Sequence, residues 1–445
     1  MTVMVMCCVL WWWGGPVLRA LVPMARPEWD RLTPEAQTTA EGQYRLAVVQ
    51  AVAALGAGVA LAYTARNYRL SRRGQVTERF TKALERLGSE EMEVRIGGVL
   101  ALEQIVQDSP DQATHAAQVL NAFIRQRAPL VPAVPDPKGK TGMLGAAALR
   151  TALNHPARVS RPSERPEADL QSALSALTRP ASRRHVDPTQ TIDLTGLHLV
   201  GARLDGANLA HAQLEGATLA EAWLSDANLA HARLKKANLT NARLEGASLV
   251  SAEGFGVNLA HAHLKKADLS RSNLREADLT HAQLEGATLA GAWLNRVNLA
   301  HAHLKGADLS NAHLGNADLG NARLWKSNLT KAWLTRANLS GADLLNATLE
   351  RAHLNRARLR NARLDNANLS GAWLDGADLT GASLWKADLR RSWGLTSKQV
   401  LSAHPRSSTM LPPDITANSD VVAQITTTEA VAAARLAETK RRGDF

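Results

Sequence analysis

GARLDGANLAHAQLEGATLA, residues 201–220, sets a leucine at 204, 209, 214 and 219 and an alanine two residues ahead of each. The same five-residue beat runs from Leu194 to Leu389, where 39 of 40 beat positions are leucine and the exception is Gly254. Alanine holds 34 of the 40 positions two residues earlier; Ile192, Leu197, Val257, Ser272, Val297 and Ser327 are the substitutes. A helix repeats its faces every ~3.6 residues and a strand every ~2, so a period of five fits neither. Each unit is too short to bury its leucine alone, so units must stack.

Runs such as Ala207-Asn208-Leu209, Ala307-Asp308-Leu309 and Ala377-Asp378-Leu379 spell A-(N/D)-L-x-x, and over about 200 residues the chain resembles the pentapeptide-repeat family. The resemblance implies a mainly β fold, a right-handed quadrilateral β-helix with four pentapeptides per coil. It points the central leucine and the alanine two residues before it inward, and the other three positions outward. Leu209, Leu229, Leu269, Leu309, Leu339 and Leu379 are then core residues. Forty repeats make about ten coils, a rod roughly 48 Å long at ~4.8 Å per coil. Each buried leucine contributes about 1.5–3 kcal/mol before chain entropy opposes it. A narrow interior demands alanine, with Val257 and Val297 at the tolerated limit. Pairs such as Asp205-Gly206, Glu215-Gly216 and Lys305-Gly306 suit the corners. At 251–257 the sequence SAEGFGV replaces the beat leucine with Gly254, and a bulge or kink is expected there.

The residue before each beat leucine carries a second order. In steps of ten from Asn208 to Asp388 it is Asn, Asp, Ser or Thr at 18 of 19 places, broken by Arg358. The interleaved places are mostly long or aromatic, as at Arg203, Gln213, Trp223 and Arg233. On a four-sided prism these two classes fall on alternate sides. One column, read every 20 residues, is Trp293, His313, Trp333, His353, Trp373, Trp393. A row of outward tryptophans is a candidate partner contact, because tryptophan is enriched at binding hot spots. His261, His281 and His301 share another column, with His263 and His303 nearby. No cysteine or paired carboxylate completes a ligand set there, so no metal site is expected.

Five segments follow. Residues 1–70 form a membrane region with two candidate spanning helices, about 1–22 and 46–65. The second, Leu46 to Ala65, is 20 residues without a charge, long enough for the hydrocarbon core. Arg66, Arg69, Arg72 and Arg73 follow it and set its downstream side toward the cytoplasm and anionic lipid. Residues 71–130 are a cytoplasmic helical segment: an amphipathic stripe from Val76 to Leu87, a second helix carrying Met92, Ile96, Val99, Leu102 and Val106, and a third from Gln112 to Arg127. The string VRIGGVLALEQI, 94–105, is similar to one hairpin of HEAT-type repeats. Residues 131–190 read as a Pro-rich linker interrupted by a short helix at 168–177. Residues 191–395 are the repeat, and 396–445 a tail whose end, 428–442, suits a helix. The exit at Gly394-Leu395-Thr396 resembles that of other such repeats.

The net charge is +11 and the pI about 10.0, which favours anionic partners. The two cysteines, Cys7 and Cys8, exclude a disulfide framework. The sequence contains no phosphate-binding glycine loop, zinc-protease helix or nucleophile elbow, and the rod is filled, so neither an enzyme nor a cofactor is expected. The reading is a scaffold at the cell membrane, its rod on the cytoplasmic side facing an unknown cytoplasmic protein. Some pentapeptide-repeat proteins mimic DNA toward a topoisomerase, but a mimic needs an acidic rod. Between Asp193 and Arg391 there are 23 Lys and Arg against 19 Asp and Glu. The basic excess is spread among acids, so direct nucleic-acid binding is also disfavoured.

Overall fold

The computed structural model describes residues 31, 33–128, 165–187 and 189–442. It divides into two compact units, 1–79 and 80–445. The candidate helix at 1–22 lies outside the described residues.

Helix α1, Pro34–Leu87, is 54 residues long. It contributes its residues through Arg79 to the first unit and those from Phe80 to the second. By length and composition it can cross a membrane, and its apolar window is fully uncovered. Leu55 and Leu61 are each 71% exposed. The separate helices expected at 46–65 and from Gln75 are therefore one. No proline interrupts the intervening stretch, and Gly74 alone costs only about 1 kcal/mol in a helix rich in Arg.

In the second unit, α2 (Met92–Asp108), α3 (Pro110–Arg127) and α4 (Ala168–Thr178) pack on one another. Pro110 sits in the first turn of α3, where its missing N–H is harmless. Val99, Leu102, Ala116, Leu120, Ile124 and Leu174 form their core. The short helix expected at 168–177 is α4, and it packs on α2 and α3 where a plain spacer would not. The Arg95 guanidinium donates to Asp169 at 2.6 Å, and Arg127 reaches Asp169 at 3.4 Å and Glu167 at 2.9 Å. These helices close the rod. Gln171 of α4 accepts from the Arg203 N–H at 2.9 Å and donates to the Arg203 carbonyl at 2.7 Å, as a neighbouring coil would. The Thr178 carbonyl accepts from the Asn208 N–H at 2.6 Å. An open edge, a template for unwanted pairing, is thereby covered.

From Asp193↔Gln213 to Trp373↔Trp393 every bridge is parallel and joins residues 20 positions apart. That register makes four sides per coil. Each side holds one bridge and no longer strand: Leu209 donates to the Asn228 carbonyl at 2.7 Å, and Asn228 donates to the Ala207 carbonyl at 2.8 Å. Corners are β-turns, as where the Ala212 N–H donates to the Leu209 carbonyl at 3.0 Å. The second residue after each leucine carries positive φ, 59° at His211. Most such residues are not glycine, so stacking must offset the left-handed strain, about 1–2 kcal/mol each. Asn and Asp before the leucine close the turn locally; Asp278 Oδ1 accepts from the Thr280 N–H at 3.0 Å.

The six marked core leucines are all 0% exposed. Buried Ser272 and Ser327, where alanine is the rule, donate their hydroxyls to Leu269 and Leu324 carbonyls, each at 2.7 Å. The kink expected at 251–257 is absent. Gly254 donates to the Asn273 carbonyl at 2.8 Å, and the Val257 N–H closes the turn on the Gly254 carbonyl at 3.1 Å. A Cβ on Gly254 would lie 2.8 Å from Leu274 Cδ2 and 3.1 Å from Val257 Cγ1. The missing leucine is thus filled from the next coil and from the larger residue three positions on.

The tail extends the stack before leaving it. His404 and Met410 bridge to Ser383 and Asp388. Gln399, in α5 (Ser397–Ser402), donates to the Leu374 and Ala377 carbonyls at 2.8 and 2.9 Å. After α6 (Pro413–Thr416), α7 runs Ser419–Arg442, starting well before the expected Thr428.

Candidate functional site

One side of the rod changes character along its length. Its outward column begins polar, Asp193, Gln213, Arg233, Glu253, Asn273, and from Trp293 becomes aromatic. The 20-residue register stacks all six predicted aromatic residues. Ring centroids are 4.4 Å apart for Trp293–His313, 6.1 Å for His313–Trp333 and 4.2 Å for Trp333–His353. They are 5.7 Å apart for His353–Trp373 and 5.9 Å for Trp373–Trp393. Interplanar angles of 8–13° for the first four pairs turn the ring faces onto each other. The outward part of each ring is its edge. Trp333 is 48% and Trp393 62% exposed. Partial burial between tryptophans lowers the His353 pKa from its ordinary value.

Two further features belong to this face. The corner positions beside it are basic: Lys331, Arg351 and Arg391 on one margin, Arg336 and Arg356 on the other, all exposed. Glu350 lies 3.7 Å from Arg351; Lys331, Arg336, Arg356 and Arg391 make no salt bridge among the described residues. The tail also returns to the face. Pro412, Pro413 and Asp414 wall an open groove of about 980 Å³ whose floor is Trp333, His353, Trp373 and Trp393. Ser392 lines the same groove, and its hydroxyl has no hydrogen-bond partner among the described residues.

Other outward columns stack as well. His261, His281 and His301 stand 4.9 Å apart, and His263 and His303 each lie 3.5 Å from a glutamate. Among the described residues no three His, Cys, Asp or Glu side chains gather closely enough to hold a metal. Trp223 lies between the guanidinium groups of Arg203 and Arg243, at 5.6 and 4.4 Å. Arg66, Arg69 and Arg72 are exposed on α1, which also carries Arg73.

The pentapeptide-repeats family model matches in eight copies, in overlapping stretches spanning 192–250 and 255–392. The cyanobacterial protein HetL of Nostoc sp. strain PCC 7120 is 35% identical, with 46% of this chain and 91% of that one covered. The chain belongs to the pentapeptide repeat family. Among solved pentapeptide repeat proteins, Rfr23 of the cyanobacterium Cyanothece 51142 is 31% identical over 29% of this chain and 90% of its own. A thylakoid-lumen member from Arabidopsis thaliana is 29% identical over 24% and 71%. TM-scores of 0.28, 0.17 and 0.21 add nothing, and membership rests on the repeat and the identity. No curated protein matches the chain. Pentapeptide repeats imply the right-handed β-helix, and the family is generally one of structural and interaction proteins.

Proposed function

We propose that this pentapeptide repeat protein is a non-catalytic, membrane-tethered scaffold whose rod presents its aromatic side to a partner protein in the cytoplasm. The observation that carries the reading is the row from Trp293 to Trp393, six rings fixed in register by the backbone, with its four tryptophans exposed and its two histidines half-buried between them. Rigid aromatic side chains offer contact area at little conformational cost. The tether is supported by α1, with its uncovered apolar window and the arginines that follow it. By the positive-inside rule those arginines favour the cytoplasm for everything downstream. The charge of the rod argues against DNA mimicry, which requires the opposite sign.

Affinity capture from membranes tests the reading, comparing the natural chain with a Trp333→Ser/Trp373→Ser variant. A partner retained by the first and lost from the second, with the variant still folded, is the expected result. Equal capture by both removes the aromatic row from the function.

A further inference from the structure

We infer that the groove over Trp333, His353, Trp373 and Trp393 takes an extended, acidic protein segment lying along the rod. The inference rests on the proposal that this face is a contact surface, and names the chemistry of what binds.

Three observations converge on an anionic occupant. The rings stack on one another, so the edges remain available outward. An aromatic ring is negative on its faces and positive at its edge. A ladder presented edge-on therefore complements negative charge. The groove lining adds full charges, since Lys331 and Arg391 are exposed and without a salt bridge among the described residues and Arg351 stands between them, while Arg336 and Arg356 lie on the far side of the ring row, outside the lining. The nearby acids are Glu350, Asp375, Asp414 and Asp388, the last held by Arg390.

Shape and charge then choose among anionic partners. A single-stranded nucleic acid gains much of its affinity by stacking bases on successive free ring faces, and here the faces within the row are turned onto neighbouring rings, leaving only the outer face of Trp393 without a ring against it. A lipid surface requires a flat or convex face, whereas Pro412–Asp414 wall one side of a recess and place a carboxylate on it. A second copy of this chain would set like-charged margins against each other. A polypeptide with carboxylates on one side and apolar groups on the other satisfies both the floor and the margins. From the level of Asn311 to that of Trp393 the groove spans about four coils, roughly 19 Å, which seats about six residues of extended chain.

The test uses the full-length protein in phosphatidylcholine nanodiscs and three fluorescein-labelled ten-residue peptides alternating Val with Glu, Gln or Lys. Fluorescence polarisation should rank Glu at least tenfold tighter than Gln, with Lys unbound. Trp333→Ser/Trp373→Ser should abolish Glu-peptide binding, and Arg351→Glu/Arg391→Glu should weaken it at least tenfold, circular dichroism reporting that both variants keep the fold. Equal Trp-dependent binding of Glu and Gln peptides overturns the acidic assignment and leaves the contact surface standing. Glu-peptide binding indifferent to the tryptophans overturns both. A fifteen-nucleotide oligo-dT, or phosphatidylserine vesicles, held more tightly than the Glu peptide in a Trp-dependent way would assign the face to nucleic acid or lipid instead. No binding of any probe also overturns the inference.

Discussion

Arg95 and Asp169 meet at 2.6 Å although 74 residues separate them. Their side chains are 8% and 0% exposed. The guanidinium also donates to the Ser89 and Glu90 carbonyls, at 3.2 and 2.7 Å, and Asp169 Oδ1 accepts from the Leu170 N–H at 2.8 Å. The pair thus ties the start of α2 to α4, the helix that seals the first coil. Removing Asp169 strands the Arg95 charge in the interior, and removing Arg95 leaves the buried Asp169 only the longer contact to Arg127 at 3.4 Å. Asp169→Asn or Arg95→Met should cost about 3–5 kcal/mol. Urea unfolding followed by hydrogen exchange at Arg203 and Asn208 would report it, since those amides rely on α4. Unchanged protection there would mean that the cap is held by its apolar contacts alone.

Restoring the family pattern at Gly254 should harm the protein. Leucine there meets Leu274 and Val257, which already occupy the space. Gly254→Leu should destabilise by about 1–3 kcal/mol through overpacking. Gly254→Leu combined with Val257→Ala reinstates the ordinary pair, and the double variant should recover most of the loss. A double-mutant cycle gives the coupling, expected to exceed about 1 kcal/mol. Additive effects would rule out mutual filling.

Two glycines of positive φ, one at a corner and one at the exit of the repeat, should respond differently to one methyl group. Gly206 has φ +63° with nothing near an added Cβ, whereas at Gly394, φ +70°, that Cβ would lie 2.8 Å from Asp375 Cα. Gly206→Ala should cost only the left-handed strain, about 1–2 kcal/mol. Gly394→Ala adds a backbone clash and should cost about 2 kcal/mol more. Similar thermal shifts for the two would sink the distinction.

Acid should loosen the aromatic coils. Because desolvation lowers the folded pKa of His353 below its ordinary 6.5, the unfolded chain binds more protons in that range. Stability therefore falls as pH drops through about 6.5 and below, and is fully present above it. His353→Gln should lose less stability than the natural chain between pH 7.5 and 5.5 in matched urea titrations. Identical losses would exclude the ring's burial as a cause.

The rod was legible because its beat leaves no freedom: a residue such as Leu309 every fifth position must point inward if any does. The aromatic row was legible for the same reason, since Trp333 and Trp373 share a column once a coil is 20 residues. The cap was not. Nothing local in Asp169 or Gln171 announces a partner in Arg95 or Arg203, and prolines around them look like spacer. The groove wall at Pro412–Asp414 was hidden too, because an aperiodic tail gives no register to project from. Gly254 misled for a physical reason: a missing side chain in a close-packed interior is compensated by neighbours, not by bending the backbone.

The register has a consequence for how such a chain can change length. Duplicating 20 residues inserts one whole layer, and every column above the insertion keeps its compass bearing. Duplicating a single pentapeptide instead turns everything above it by a quarter, so an insertion below Trp293 would swing the row onto an adjacent side of the rod. Gain or loss of sequence within this rod is therefore tolerated in quanta of four repeats wherever the direction of the aromatic row matters.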